Sequence, residues 1–514
     1  MSSIAIMGEE IAAQRTIAAG KGSFMIEQNL DAANDPKDRK PYEELRKQLT
    51  FSFKNLWNPD NQEEMNAVMA FCEDYKVALN EGKTEREFVK FAVDLLEKSG
   101  FRAFNPDEQL SAGDRVYDSV HGKGLIAAVV GSDSPVKGFN MIGAHIDSPR
   151  LDLKPNPLYE SNDFAFLKTH YYGGIKKYLW VATPLALHGF VTLNDGTTVD
   201  ISIGENEEDP VFSITDLLIH LAEEKMQKKA SDVVSGEELN VLVGGIPITS
   251  DEDVKERFKL GILKLLYDQY GIVERNLLTA EIEIVPAVKA RDIGFDRAFV
   301  GGYGQDDRVC AYTALRALID IDQPLRRTAV CVFYDKEEIG STGVTGARSQ
   351  LYPSVQKRIV RSILGREPSA FELIDNIEQS VMLSSDVAAA YDPTYPTMFD
   401  PLNSTYAGRG IAIVKYVGHG GKSHTSDASA EYFDEVTKLL DKNNIPWQTG
   451  ELGRIDLGGG GTVAVFQADL GITVIDCGVP VLSMHSCFEA TSKIDIYMTY
   501  RAYNVFFEQM RVED

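Results

Sequence analysis

Short runs of apolar and β-branched residues recur along this chain, and most are apolar almost throughout: GLIAAVVG, FNMIGAH, EIEIVPAV, TAVCVFYD, SVMLSSD, IAIVKYV and VLSMHS. A strand with one wet face alternates apolar with polar residues. A strand without a polar face must be covered on both sides, as in a parallel sheet held between helices. Helical stretches separate several of the runs, among them VCAYTALRALID (309–320) and AEYFDEVTKLLDKN (430–443). The rhythm predicts an α/β fold with a three-layer α/β/α body around a mostly parallel sheet.

At 514 residues the chain is too long for one ordinary core, so two domains are expected. The rhythm breaks from about 152 to 285. There, HGFVTLNDGTTVDISIG reads as a hairpin turning at Asp195-Gly196, and a polar helical stretch follows. This segment reads as a β-rich domain inserted into the first, whose two parts are then 1–151 and 286–514. Residues 1–60, polar and weakly periodic, read as an N-terminal arm or cap. Two helices follow, MNAVMAFCEDYKVAL and REFVKFAVDLLEKSG, broken at Glu81-Gly82 and ended by Gly100.

Charge removes several classes of function. Asp and Glu number 77 against 52 Lys and Arg, a net charge of -25. Phosphate neutralisation needs a basic face, so neither nucleic acid nor an anionic membrane is an expected partner. No apolar run is long enough to span a bilayer. The start, MSSIAIMGEEIAAQRTIAAGKG, lacks the basic-then-apolar pattern of a signal peptide. Five scattered cysteines, an odd number, fit reduced buried thiols better than a disulfide framework. Together these features point to a cytoplasmic protein.

Five acidic or histidine positions fall at or just after the ends of expected strands: His145, Asp306, Glu338, Asp386 and His485. That edge of an open α/β sheet is where sites are built. Singly, each has a plainer reading: His145 as a hydrogen-bonded core histidine, Asp306 as a helix cap, Asp386 as a turn residue. Their common location is the argument against that. In AHIDSPRLDLKP, His145 and Asp147 share one face of an extended chain, so Asp147 can accept from the ring nitrogen that faces away from a metal. In GGYGQDDRVCAYTAL, one aspartate can give an oxygen to each of two metals. In CVFYDKEEIGSTG, neighbouring glutamates cannot point the same way, so one can bind metal while the other, Glu337, faces substrate as a general base. VMLSSDVAAA and VLSMHSCFEA supply Asp386 and His485. Nitrogen and oxygen ligands without thiolate suit zinc, with cobalt or manganese as alternatives.

Other motifs carry less. GHGGKSH (418–424) lacks the first glycine of a phosphate loop, since Tyr416 stands there. GGGG (458–461) lacks the strand-turn-helix setting of a nucleotide fingerprint. Cys487 lies two residues from His485 and reads as a small buried residue, not half of a thiol-protease pair.

These blocks resemble the aspartyl aminopeptidase and aminopeptidase I family of dinuclear zinc exopeptidases, from roughly residue 60 to the C-terminus. The family's HxDSPxLxLKP block stands as His145 to Pro155, its Glu-Glu pair as Glu337-Glu338, its Ser-x-Asp as Ser384-Ser385-Asp386, and its Met-His-Ser as Met484-His485-Ser486. The resemblance implies two zinc ions per subunit, one held by His145, Asp306 and Asp386 and the other by Asp306, Glu338 and His485, with Glu337 as base. It implies removal of single N-terminal residues from peptides with a free N-terminus. It also implies a tetrahedral homododecamer built through the inserted domain. Where the family often has Asp-Asn, this chain has Asp306-Asp307; Asp306 is preferred as the bridge. A family Ser-Pro-rich motif is absent from LNEGKTEREF. A family histidine that reaches a neighbouring subunit's site is best matched by His220 in LLIHLAEE, where an amphipathic-helix histidine fits equally well. Lys415 aligns with a lysine that can meet the substrate's first side chain and tilts the expectation towards acidic residues; a surface lysine is its plainer reading. Rival readings are another amidohydrolase or carboxypeptidase reaction on the same site, and a catalytically silent scaffold.

Overall fold

The computed structural model describes residues 36–511, so the first 35 residues of the expected arm lie outside the described residues. The helix Pro36–Leu49 belongs to a unit of its own that runs to Phe53. Thr50 closes it, its backbone N–H (2.9 Å) and hydroxyl (2.7 Å) both donating to the Arg46 carbonyl. Lys54 begins the second unit, to which everything below belongs. Its first residues are docked rather than arm-like: Leu56 N–H donates to the Gly408 carbonyl at 2.8 Å, and Leu56 and Trp57 pack on Val68, Ile494 and Met498.

The two expected helices form as Gln62–Glu81 and Glu85–Lys98, each with a side-chain N-cap, Asn61 and Thr84. Thr84 and Glu87 complete a reciprocal capping box, which satisfies two otherwise orphaned N–H groups.

The main sheet has nine strands. At its centre Ala329–Tyr334, Asn140–His145, Val381–Ser384 and Thr473–Gly478 lie side by side and parallel. Their side chains explain the unbroken apolar runs. Ala329, Cys331 and Phe333 enter one core, shared with the helices Gln305–Ile319 and Lys493–Gln509. Val330, Val332 and Tyr334 enter another, shared with the helix Leu351–Leu364. Neither face meets water, so neither carries the polar half of an alternating strand. The three-layer arrangement is as expected.

EIEIVPAV gives Glu281–Pro286 in a second, six-stranded sheet, at the end of the segment set apart as 152–285, whereas VLSMHS, read as a strand of the main sheet, gives Pro480–Leu482 in a small third sheet of five strands. The strand that fills the main sheet, Thr473–Gly478, lies just upstream of the latter. Apolar composition marks a buried strand without saying which neighbour it pairs with.

The second sheet is antiparallel throughout and is drawn from residues 150–286. The expected hairpin is there as Leu185–Thr192 and Thr198–Ile203. The sheet has its own core, including Leu151, Leu167, Leu185, Val191 and Ile282, partly covered by Ile262 and Leu266 of the helix Arg257–Tyr270.

A buried ionic knot ties the second sheet to the helix Glu85–Lys98. Arg150, 5% exposed, reaches Glu85 Oε2 (3.2 Å) on the second helix and Glu283 Oε1 (3.1 Å) on the second sheet, and its Nε donates to Asp152 Oδ1 at 2.8 Å. Its guanidinium also stacks over the Tyr172 ring, 4.0 Å from the centroid. Removing the cation leaves the buried Glu283 without its ion-pair partner and Glu85 with Lys123 alone, at 3.0 Å. Arg150→Leu is therefore expected to destabilise the fold by about 3–5 kcal/mol. Denaturant unfolding at neutral pH measures this; a loss below about 1 kcal/mol would show that the knot holds little.

Candidate metal centre

Register delivers the site. In the parallel ladder Tyr334 pairs with His145, Ser384 with Gly143 on one side and with Asp476 on the other. The chain segments that leave these strands, 145–147, 335–338 and 385–386, therefore emerge at one edge. Asp306 arrives from the side. It opens the helix Gln305–Ile319, but Asp306 and Asp307 are not helical (φ -78°, ψ 108° and φ -114°, ψ 25°), and the peptide bond between them is cis. His485 comes from the turn after Pro480–Leu482, with φ 61°.

His145, 2% exposed, points Nε2 at Asp306 Oδ1, 3.1 Å away. Its Nδ1 lies 3.0 Å from the Asp147 backbone carbonyl and 3.4 Å from Asp147 Oδ1, so the carbonyl is the closer partner and the expected carboxylate contact is the longer one. His485 Nε2 lies 3.1 Å from Asp306 Oδ2 and 3.4 Å from Glu338 Oε1. Its Nδ1 faces the Gly174 carbonyl at 2.9 Å. Each histidine thus has a backbone acceptor on Nδ1, which leaves Nε2 for the cluster. Glu337 Oε2 stands 4.0 Å from His145 Nε2. Donor atoms of His145, Asp306 and Glu338 lie within 4.8 Å of one another, and so do those of His145, Asp307 and Asp386.

The supporting contacts are as specific as the cluster. Asp147, fully buried, accepts from the Glu337 N–H (3.1 Å), the Glu338 N–H (3.2 Å) and the Tyr172 hydroxyl (2.8 Å). Glu489, 1% exposed, accepts from the backbone N–H of His485 (2.7 Å) and of Asp306 (3.1 Å), fixing two arms of the site with one side chain. The Ser148 hydroxyl donates to the Asp306 carbonyl at 2.7 Å. Gly173 passes so close to Glu338 that an added Cβ would meet its Cβ and Oε2 at 3.2 Å, and its φ is +73°.

Burial works against the charge of the acids here. It pushes Glu337 up to about 7, with Asp147 and Asp306 adding to the effect and His145 opposing it. It holds Glu338, Asp386 and Asp307 well above the usual carboxylate range. Asp306 goes the other way, because hydrogen bonds from His145 and His485 outweigh its burial. Against burial, Asp306 and Glu338 push His485 up to about 10. Both Asp307 oxygens and Glu338 Oε1 are buried without hydrogen-bond partners. This is a site with more buried anion than its two histidines can balance, and its donors are all nitrogen and oxygen. A divalent cation fits that donor set.

A cavity of about 410 Å³ opens onto the cluster, lined by His145, Asp306, Glu337, Glu338, Asp386 and His485. Val387, Ala388, Ala389, Val414 and Leu452 make apolar walls, and Gly459, Gly460 and Gly461 border it. All five expected ligands and Glu337 are thus brought together. Lys415 is not; its Nζ pairs with Asp427 Oδ1 at 3.3 Å, and it does not line the cavity. His220 is exposed in a three-residue 3-10 turn, Ile219–Leu221, rather than on an amphipathic helix. Glu489, Tyr172, Gly174 and Asp476 were not singled out from sequence. Glu489 lies four residues from His485, a spacing that is visible in the chain but has no meaning until the turn closes.

Comparison with known proteins gives one family. Residues 78–507 match the family described as aminopeptidase I zinc metalloprotease (M18). A Clostridium acetobutylicum protein described as "probable M18 family aminopeptidase 1" is 47% identical over 462 residues, 89% of this chain and 98% of its own length. The crystal structure of an M18 aminopeptidase from Thermotoga maritima superposes with a TM-score of 0.84 at 43% identity, covering 90% of this chain and all of that one. The mApe1 dodecamer of S. cerevisiae shares the fold at 22% identity, with a TM-score of 0.68 over 86% of this chain and 97% of that one.

Proposed function

The chain belongs to the M18 family of zinc metallo-aminopeptidases, and we propose that its edge cluster holds two divalent cations, with Glu337 as the general base. One cation would be held by His145, Asp306 and Asp386, the other by Asp306, Glu338 and His485. The observation that carries this reading is the splay of Asp306, whose Oδ1 and Oδ2 each lie 3.1 Å from a different histidine Nε2. A carboxylate presented to two imidazoles in that way is arranged as a bridge, which supports Asp306 over Asp307. Zinc suits the donors, with cobalt and manganese as alternatives.

When bound, such a pair supplies Lewis acidity at the scissile carbonyl and lowers the pKa of water. The protein's own part is proton handling and positioning. Glu337 takes the proton of the attacking water and returns it to the departing nitrogen, one group acting as base and then as acid. Asp147 holds the backbone of Glu337 and Glu338 so that the base and its neighbour face different ways. Glu337→Gln is expected to retain its cations by metal analysis and to lose about 10²–10⁴-fold in kcat. Near-normal turnover in that variant would remove Glu337 from the role.

For the substrate's first residue, the lining supports an uncharged side chain rather than the acidic one that Lys415 suggested. Neither Lys nor Arg is among the lining residues, and a carboxylate there would face Glu451 and Asp476 across apolar walls. Leucine p-nitroanilide is expected to exceed the aspartyl substrate by about tenfold or more in kcat/KM, a difference of at least ~1.4 kcal/mol. N-acetylated substrate should resist cleavage, which separates this reading from an amidohydrolase or carboxypeptidase acting on the same site. A preference for aspartate would reverse the reading of the walls.

Residues 152–285 are read as the inserted domain through which copies assemble, as a tetrahedral homododecamer. Support comes from their exposed apolar side chains, among them Ile219 (66%), Leu221 (68%), Ile246 (85%) and Leu265 (64%), a density that isolated domains avoid. His220 lies within this surface, as a residue that reaches a neighbouring copy would. The fold shared with the yeast mApe1 dodecamer adds to it. Light scattering on the purified protein is expected to give a particle of twelve chains; a monodisperse monomer would exclude this assembly. No helix among the described residues is long and apolar enough to cross a membrane, and all five cysteines are free, which supports a cytoplasmic location.

A further inference from the structure

The second sheet touches the cluster through three consecutive residues. The Tyr172 hydroxyl donates to Asp147 Oδ2 at 2.8 Å, a Cβ added at Gly173 would meet Glu338 at 3.2 Å, and the Gly174 carbonyl faces His485 Nδ1 at 2.9 Å. Of the three, Tyr172 alone acts through a side chain. Pairing across the sheet decides where its hydroxyl goes. Tyr172 stands opposite Arg150, whose guanidinium lies over the ring, 4.0 Å from the centroid. Arg150 is held in turn by Glu85, Asp152 and Glu283. Strand alternation sends Tyr171 to the other face, where it is 42% exposed.

The buried carboxylate of Asp147 depends on that hydroxyl. Its Oδ1 accepts from the Glu337 N–H at 3.1 Å and its Oδ2 from the Glu338 N–H at 3.2 Å, while His145 Nδ1 lies 3.4 Å from Oδ1. The Tyr172 bond is the shortest of these, and it comes from a different sheet. Burial, and then the charge of Asp147, hold the phenol well above its ordinary pKa, so it stays a donor. Without it, Oδ2 keeps one long bond and the carboxylate can turn about its Cβ–Cγ bond. Both backbone N–H groups then lose an aligned acceptor, and the turn that carries the base shifts with them. A displacement of about 1 Å at a reacting group costs on the order of 10²-fold in rate.

We propose that Tyr172 is a positioning residue for the reaction: from the second sheet it clamps the Asp147 carboxylate, and through it sets the direction in which Glu337 points. This assignment rests on the reading of Glu337 as the base. Tyr172 is not among the residues that line the cavity, so it acts on turnover rather than on substrate binding. The second sheet thereby contributes to the chemistry and not to assembly alone.

The test uses Tyr172→Phe in the metal-loaded protein, which keeps the ring under Arg150 and removes only the hydroxyl. The expected result is a kcat for leucine p-nitroanilide lowered about 10–100-fold, with KM within about threefold and wild-type cation content by metal analysis. Tyr171→Phe, on the other face, should keep the wild-type kcat. A double-mutant cycle separates positioning from general support. Where the base is absent its placement has no value, so Tyr172→Phe added to Glu337→Gln should lower the residual rate by less than about threefold. A role in folding or assembly alone would lower both backgrounds by the same factor. Hydrogen exchange followed by mass spectrometry gives a readout apart from turnover: Tyr172→Phe should exchange faster over residues 335–341, while the strands Leu185–Thr192 and Thr198–Ile203 keep wild-type protection. If the phenylalanine variant folds poorly, Tyr172→Met, apolar and of similar reach, carries the same expectations. Wild-type kcat in these variants would overturn the proposal, as would equal losses in the two backgrounds or a shortfall of bound cation that matches the loss of rate. If Glu337→Gln keeps near-normal turnover, the reading of the base falls and this one with it; if it does not and Tyr172→Phe matches wild type, only the role of Tyr172 falls.

Discussion

Three hydrogen bonds converge on the buried carboxylate of Asp147, and the site hangs from them. Two come from the backbone of Glu337 and Glu338, and the third from the Tyr172 hydroxyl on the second sheet. The same residue's backbone carbonyl faces His145 Nδ1. One aspartate thus fixes a histidine ring, the turn that carries the acidic pair, and the contact between two sheets. A carboxylate fully removed from water is stable only when its oxygens are saturated in this way. Its donors are consequently held as firmly as it is.

Glu489 repeats the arrangement on the opposite side by accepting from the backbone of both Asp306 and His485. Between them, Asp147 and Glu489 fix four of the segments that reach into the cavity. That division of labour explains how so many acids can be crowded together. Some are spent on scaffolding and have their hydrogen bonds satisfied, whereas both oxygens of Asp307 are buried without one.

The second sheet is more than an appendage to this centre. Tyr172 and Gly174, at and just beyond the end of the strand Phe164–Tyr172, reach Asp147 and His485, and Arg150 stacks on Tyr172 while pairing with Glu85 and Glu283. A disturbance in that sheet therefore has a short covalent and hydrogen-bonded route to the cluster.

The sequence alone was enough for the layer architecture, because strands buried on both faces have no polar half and read as unbroken apolar runs. It also marked His145, Asp306, Glu337, Glu338, Asp386 and His485, since each stands at or near the end of such a run or at the start of a helix. It misjudged one partner, since VLSMHS is a strand of another sheet, and of the two readings of Lys415 the surface lysine, paired with Asp427, is the one the fold shows. Periodicity is local and reports burial, whereas pairing, charge balance and cavity lining depend on contacts hundreds of residues apart. Glu489, Tyr172, Gly174 and Asp476 gain meaning only when register and turns bring them to that edge, and only the folded chain turns the two oxygens of Asp306 towards two different histidines.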